Sequence, residues 1–130
     1  MRSARRAVAA ALALWTSVLA PLPADADAAD DLRAIRTGTQ PVRVELLGWT
    51  AAREAVFRTL VCGESGTAYC RAAVTTVAPG RAAPRVTLLL DVSEVYCDQG
   101  RCDALTTEAQ REFVDAEARA RAALPPLATA

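Results

Sequence analysis

Residues 71–96 read RAAVTTVAPGRAAPRVTLLLDVSEVY, and this stretch predicts a β-hairpin. Both arms, residues 71–78 and 85–96, are rich in the β-branched and aliphatic side chains that pack well on a pleated sheet. The connection, PGRAAP, suits an antiparallel turn and is too short for a parallel crossover, which needs about a dozen residues or more. Apolar residues on both sides of the second arm predict that it is the central strand. Its alternation predicts one apolar face, made by Val86, Leu88, Leu90 and Val92.

The segments before this hairpin predict a strand followed by a helix. Residues 41–49 alternate apolar and polar side chains, which favours a strand. Residues 50–61 place apolar side chains at helical spacing behind Thr50, a residue type that caps helices well, so we expect a helix there. The glycine-rich segment 63–69 is then predicted to be a loop.

The C-terminal part predicts the longest helix. A capping box at Thr107–Gln110 begins an amphipathic pattern that continues to Leu124, and Pro125-Pro126 ends it. Together these elements predict a small α+β fold. We expect a three-stranded, mainly antiparallel sheet with two main helices packed on one face and two disulfides.

The N-terminal 26 residues predict a cleavable export signal. Three arginines precede an apolar run over residues 7–20, and small residues follow it, which is the layout of a secretory signal. The run is 14 residues long, whereas a membrane-spanning helix needs about 20. We therefore expect an exported, soluble protein, periplasmic or extracellular, with no transmembrane segment in its mature form.

The remaining chain predicts one domain. Residues 27–40 are expected to form a leader or a short helix, residues 41–124 a single disulfide-stabilised α+β domain, and residues 125–130 a disordered tail. A chain of about 100 residues buries a little over 60% of its unfolded surface. That is enough for one modest core.

Composition excludes several classes of function. The chain has 15 basic residues, all of them arginine, against 15 acidic ones, and it has no His, Lys or Asn. Without Lys there is no Schiff base, and without His the common base of nucleophilic catalysis is missing. A nearly neutral chain also lacks the clustered positive charge that nucleic acid requires. We therefore expect no enzyme, no cofactor and no nucleic-acid partner.

Four cysteines are the clearest feature of the chain beyond the export signal. In a small exported domain, Cys62, Cys70, Cys97 and Cys102 predict two structural disulfides. Three connectivities are possible, and the sequence favours the local pairs Cys62–Cys70 and Cys97–Cys102, because each brackets a segment that already turns. On the loop-entropy model each local bridge would stabilise the fold by roughly 2 to 2.5 kcal/mol.

The two bracketed segments offer candidate binding residues. A rigid loop loses less entropy than a flexible one when a partner docks. The second segment presents Asp98, Gln99 and Arg101 at a tight tip, and the first contains Glu64 and Ser65. We therefore predict a binding or interaction protein that uses these residues, with a protein partner outside the cytoplasm.

A thiol-disulfide redox or metal-handling protein using Cys97 and Cys102 is the alternative hypothesis. Four residues separate these cysteines, however, which is wider than the Cys-x-x-Cys spacing of oxidoreductases and of zinc sites. The nearby acidic residues match no EF-hand register either; they are Asp91, Glu94, Asp98 and Asp103. The sequence therefore predicts no catalytic residue and no metal site.

Overall fold

The computed structural model describes residues 27–38, 40–80 and 83–129, apart from the side chain of Ser65. The predicted export signal, residues 1–26, lies outside this part of the chain. The described elements, in chain order, are α1 (Ala28–Thr37), β1 (Val42–Trp49), β2 (Ala55–Ser65), β3 (Thr67–Val77), β4 (Arg85–Ser93), β5 (Cys97–Asp98), β6 (Arg101–Cys102) and α2 (Thr107–Ala123). Neither described helix is long and apolar enough to cross a membrane.

The strands form two antiparallel sheets. Strands β1 to β4 make one four-stranded sheet in the order β1-β2-β3-β4, and β5 pairs with β6 alone. The fold is therefore α+β, but the prediction of a three-stranded sheet is wrong. The arm predicted to be central is β4, which lies at an edge, whereas β2 and β3 are the central strands.

The fourth strand comes from the segment predicted to be a helix. Thr50 closes a turn instead of capping a helix: its backbone N–H donates to the Glu54 carbonyl at 2.9 Å, and its hydroxyl accepts from the Glu54 N–H at 3.1 Å. Strand β2 then begins at Ala55. A spacing of four residues, as between Val56 and Leu60, places two side chains on the same face of a helix. It also places them on the same face of a strand, because successive side chains of a strand alternate between its two faces.

The predicted loop over residues 63–69 is also absent. Strands β2 and β3 continue through it, with Ser65 paired to Thr67 around a tight turn at Gly66, where φ is +83°. Glycine adopts this left-handed conformation at little cost. The glycines of this segment therefore mark a hairpin turn and not a long connection.

The core lies between one face of the four-stranded sheet and the two helices. Helix α1 begins with its N-cap Asp27, whose side chain accepts from the Asp30 N–H at 2.9 Å, and α2 begins with its N-cap Thr106. The apolar sides of the helices and the inward side chains of the strands form one cluster, which includes Leu32, Ile35, Val56, Leu60, Ala72, Val74, Leu90 and Phe113.

The opposite face of this sheet is left uncovered by the described residues. The β3–β4 register shifts beside Leu89, so the predicted single apolar face of β4 is divided. Leu90 and Val92 pack towards the helices, whereas Val86 and Leu88 lie on the other face, 57% and 49% exposed.

The segment predicted to be a disordered tail pairs in part with the sheet. Trp49 and Ala128 exchange two backbone hydrogen bonds of 2.8 Å, and Leu127 packs against the core. Gly48 permits this approach, because a Cβ built on it would lie 2.7 Å from the Ala128 carbonyl oxygen. The C-terminal segment therefore covers the end of β1.

We expect Gly48→Ala to release residues 127–128 from β1. The added methyl group would collide with the Ala128 backbone, in addition to the strain of a side chain at φ +151°. Amide hydrogen exchange should show loss of protection at Ala128, while the amides of β2 and β3 keep theirs.

Gly80→Ala is the matched control, since Gly80 also has a positive φ, +90°, but a Cβ there would meet nothing within 4 Å. It should leave the protection of Ala128 unchanged. An Ala128 amide that stays protected in Gly48→Ala would contradict the close approach described above.

Candidate functional site

A buried arginine joins the sheet to both helices. Arg58 of β2 has a side chain only 1% exposed. Its NH1 atom lies 2.7 Å from Oδ2 of Asp31 on α1. Its Nε and NH2 atoms donate to the two carboxylate oxygens of Glu117 on α2, the second over 3.0 Å. Because both helices reach this guanidinium, they are held on the same face of the sheet.

Two further arginines border this buried cluster. NH1 of Arg43 lies 3.3 Å from Oδ1 of Asp31, and Nε of Arg121 lies 3.6 Å from Oε2 of Glu117. Two buried carboxylates are thus shared among three guanidinium groups, of which only Arg58 is fully enclosed. Carboxylates in such an environment are stabilised by direct pairing rather than by water.

Burial shifts the pKa values within the cluster. Loss of hydration raises the pKa of Asp31 above its usual value, because it outweighs the attraction of Arg58 and Arg43. Oδ2 of Asp31 makes no hydrogen bond of standard geometry, although NH1 of Arg58 lies 2.7 Å from it. Burial alone would lower the pKa of Arg58, but its bonds to Glu117 and the charge of Asp31 raise it, so Arg58 stays charged.

The prediction of two disulfides is confirmed, and they are the two local pairs that the sequence favours. Cys62–Cys70 joins β2 to β3, and Cys97–Cys102 joins β5 to β6. The members of each pair lie directly opposite each other in the strand register, with 4.1 Å between their Cα atoms. None of the four cysteines is free.

The two disulfide-bonded hairpins meet at one end of the fold. The Val95 N–H donates to the Ala68 carbonyl at 3.1 Å, which joins the segment before β5 to the β2–β3 hairpin. The sulfur of Cys97 lies 3.5 Å from the carbonyl oxygen of Ile35 near the end of α1. We call this region, residues 62–70 and 95–102 with the last turn of α1 and the first turn of α2, the disulfide end.

The tip of the β5–β6 hairpin is a tight two-residue turn. Gln99 and Gly100 both have positive φ angles, 50° and 78°. This is the pattern of a type I′ turn, whose twist matches that of antiparallel strands. The turn and the disulfide together fix the positions of Asp98 and Arg101, which face each other across the hairpin.

A cavity of about 300 Å³ opens between the two hairpins. Tyr69 and Tyr96 line it with Glu64, and residues of both disulfides also contribute to its lining. Tyr69 lies opposite Gly63 in the strand register, and a Cβ on Gly63 would come within 3.0 Å of its hydroxyl. The tyrosine ring thus occupies the space that the glycine leaves.

A second cleft, of about 340 Å³, lies between the β5–β6 hairpin and the two helices. Arg36 of α1, Arg101 of β6 and Gln110 of α2 line it. Nε2 of Gln110 donates to the Leu105 carbonyl at 2.8 Å, and its Oε1 accepts from NH2 of Arg36 at 2.5 Å. Among the described residues, neither Arg36 nor Arg101 has an ion-pair partner. We call this the arginine cleft.

The structure distributes the five predicted binding residues over this end. Arg101 lines the arginine cleft and Glu64 lines the cavity between the hairpins. Asp98 and Gln99 lie at the hairpin tip beside them. Ser65 is the last residue of β2, and its side chain lies outside the described part.

The sequence did not indicate Arg36 or Gln110 as site residues. Arg36 resembles the cations that commonly end helices, where they complement the helix dipole. The sequence predicts that Gln110 belongs to a capping box with Thr107, but Thr106 is the N-cap, and its hydroxyl accepts from the Ala109 N–H at 3.1 Å. Only the tertiary contact between the helices brings these two side chains together.

We expect Glu117→Ala to destabilise the fold by about 3 to 5 kcal/mol, because it removes one partner from a buried charge. Chemical denaturation would measure the loss. Glu112→Ala on the same helix is the control, since Glu112 pairs with Arg119 and both side chains are 66% exposed. Its loss should stay below about 1 kcal/mol. Equal effects of the two substitutions would contradict the role of the buried cluster.

We expect the contribution of Asp31 to the free energy of unfolding to become more favourable as the pH falls. Its raised pKa means that the folded state binds a proton at a higher pH than the unfolded state does. The unfolding free energy of the wild type minus that of Asp31→Asn should therefore rise from neutral pH to about pH 4, where carboxylates titrate. A difference that falls over this range would indicate that Arg58 and Arg43 dominate the titration of Asp31 instead.

The groups that line the disulfide end determine which molecules it can bind. It offers two guanidinium groups, one fixed amide and two tyrosines around two neighbouring concave sites. Within the described ranges, no group of three or more Cys, Asp or Glu side chains is arranged to hold a metal ion. Comparison with protein-family models, curated proteins and solved structures found no match to this chain.

Proposed function

We propose that this chain is an exported, non-catalytic binding protein that holds an acidic segment of a protein partner at its disulfide end. The observation that carries the proposal is the arginine cleft, where Arg36 and Arg101 face a concave space without a carboxylate partner among the described residues. Guanidinium groups bind carboxylates through paired hydrogen bonds of fixed geometry. The cleft is thus suited to an Asp or Glu side chain of a partner.

Arg36 is held in position before any partner arrives. Its NH2 group donates to Gln110, and Gln110 is itself fixed by the carbonyl of Leu105. One N–H of the guanidinium is used in this way, and the others remain to bind a carboxylate. An arginine with a fixed orientation loses less rotamer entropy on binding, so more of the interaction energy contributes to affinity.

The backbone of Arg101 is held in place by the neighbouring disulfide. It lies next to the disulfide-bonded Cys102 and follows the turn at Gln99 and Gly100. Asp98 faces it across the hairpin and reduces the local positive charge. Asp98 therefore repels an acidic segment and lowers the affinity of the cleft for it.

The neighbouring cavity supports a protein partner rather than a small ion. Tyr69 and Tyr96 contribute aromatic surface with polar hydroxyls, a combination that is common at protein–protein contacts. An acidic segment bound in the arginine cleft could place an adjacent side chain in this cavity. A free inorganic anion would use only the arginines.

The composition supports a non-catalytic role, and the cysteines and the N-terminal pattern support export. The absence of His and Lys removes the imidazole base and the amine nucleophile that many enzymes use. Two disulfides are typical of small proteins in oxidising compartments, and the N-terminal pattern of residues 1–26 is typical of an export signal.

Titration calorimetry with a hexaglutamate peptide as the probe tests the proposal. We expect Arg36→Gln and Arg101→Gln each to weaken binding by about 10- to 100-fold, since each removes a charge-assisted hydrogen bond worth roughly 1.5 to 3 kcal/mol. Asp98→Asn should tighten binding, because it removes a negative charge beside the cleft.

Arg53→Gln is the control, because Arg53 lies in the β1–β2 turn, at the opposite end of the sheet from the disulfides. It makes the same change of charge and should leave the affinity unchanged. Equal weakening by all three arginine substitutions would contradict a specific site. Binding of inorganic phosphate at the cleft without binding of the peptide would contradict a protein partner.

A further inference from the structure

The face of the four-stranded sheet that points away from the helices carries an unusual set of side chains. We call it the open face. Outside the disulfide end, four cross-strand rows of residues make it up: Trp49, Ala55 and Val77; Leu46, Phe57, Thr75 and Val86; Val44, Thr59, Ala73 and Leu88; Val42, Val61, Arg71 and Asp91.

The open face is apolar where it is most exposed. Val42 and Val44 of the edge strand β1 are 65% and 66% exposed, and the valine and leucine on β4 are about half exposed. An antiparallel sheet with one solvated face normally alternates apolar with polar residues, so that the outer face is polar. Large contiguous apolar patches on a soluble surface usually mark a contact with another molecule.

Charge on the open face is confined to one row and is balanced within it. Nε of Arg71 lies 3.6 Å from Oδ1 of Asp91 in the row nearest the disulfide end. The other three rows contain no charged side chain. Since this face has no net charge and three of its rows have no charged side chain, it does not repel a copy of itself, and it offers little to a charged partner.

The described chain does not provide a cover for this face. Helix α1 packs on the other side of the sheet. The C-terminal segment pairs with the edge strand β1 at Trp49. Among the described residues, therefore, no further segment reaches the open face.

We propose that two copies of this chain pack open face against open face to form a homodimer. This inference is independent of the proposed binding function. Aligned sheets pack about 10 Å apart with their strands rotated by roughly 30°, and side chains from both inner faces interdigitate. The β-branched and leucine side chains of the open face would then form the inner layer of a two-sheet sandwich.

The area fits a reversible dimer. Four strands about 4.8 Å apart and about eight residues long, at about 3.3 Å per residue, span roughly 19 by 26 Å. This gives about 500 Å² on each copy and about 1,000 Å² in total, near the lower limit for a specific interface. Weak and transient contacts lie at this end of the size range, so we expect a dimer that forms reversibly. In such a dimer both helix layers and both disulfide ends face outwards.

Sedimentation equilibrium of the wild-type protein from about 5 to 500 μM tests this proposal. The expected result is a reversible monomer–dimer equilibrium. Val44→Glu and Leu88→Glu should each weaken dimerisation at least about 100-fold, because the dimer would bury two unpaired charges. Circular dichroism and thiol counting on each variant establish that the fold and both disulfides are retained.

Val114→Glu is the matched control, because Val114 is 49% exposed on α2, away from the open face. It adds the same charge and should leave the equilibrium unchanged. A wild type that stays monomeric at 500 μM overturns the proposal. Dimerisation that Val114→Glu weakens as strongly as Val44→Glu overturns it as well, since the effect would then come from net charge rather than from the open face.

Discussion

The guanidinium of Arg58 is the constraint on which the rest of the structure depends. It lies inside the core, so it needs its two carboxylate partners, and these come from the first and last of the described elements, α1 and α2. Apolar contacts are not directional, so they restrict the positions of the helices only through packing. The bidentate hydrogen bonding of Arg58 to Glu117 permits only a narrow range of positions for α2.

The same constraint positions the candidate site. Asp31 and Arg36 belong to one helix, and Glu117 and Gln110 to the other. Arg58 fixes Asp31 on one helix and Glu117 on the other. It thereby also fixes the positions of Arg36 and Gln110, which lie about one to two helical turns away on the same helices, at the disulfide end. The contact between Arg36 and Gln110, and with it one side of the arginine cleft, follows from a bond made inside the core.

The sequence predicted the features that depend on neighbouring residues and missed those that depend on distant ones. The disulfide pairs, the β3–β4 hairpin and the C-terminal helix follow from local spacing and turn residues. The sequence predicts a helix where strand β2 lies, because a spacing of four residues fits both structures and because Arg58 places a charged residue at a core position. Arg36 and Gln110 could not be identified, since 74 residues separate them and no local pattern joins them.

The placement of the disulfides also bears on how the chain acquires them. Each joins a cysteine to its nearest neighbour along the chain, with sequence separations of 8 and 5. Closing such short loops costs little entropy, while any non-native pairing must close a longer one. Native pairs should therefore form early during oxidative folding, in either order and without reshuffling. The helices and the four-stranded sheet would then assemble around two hairpins that are already covalently closed.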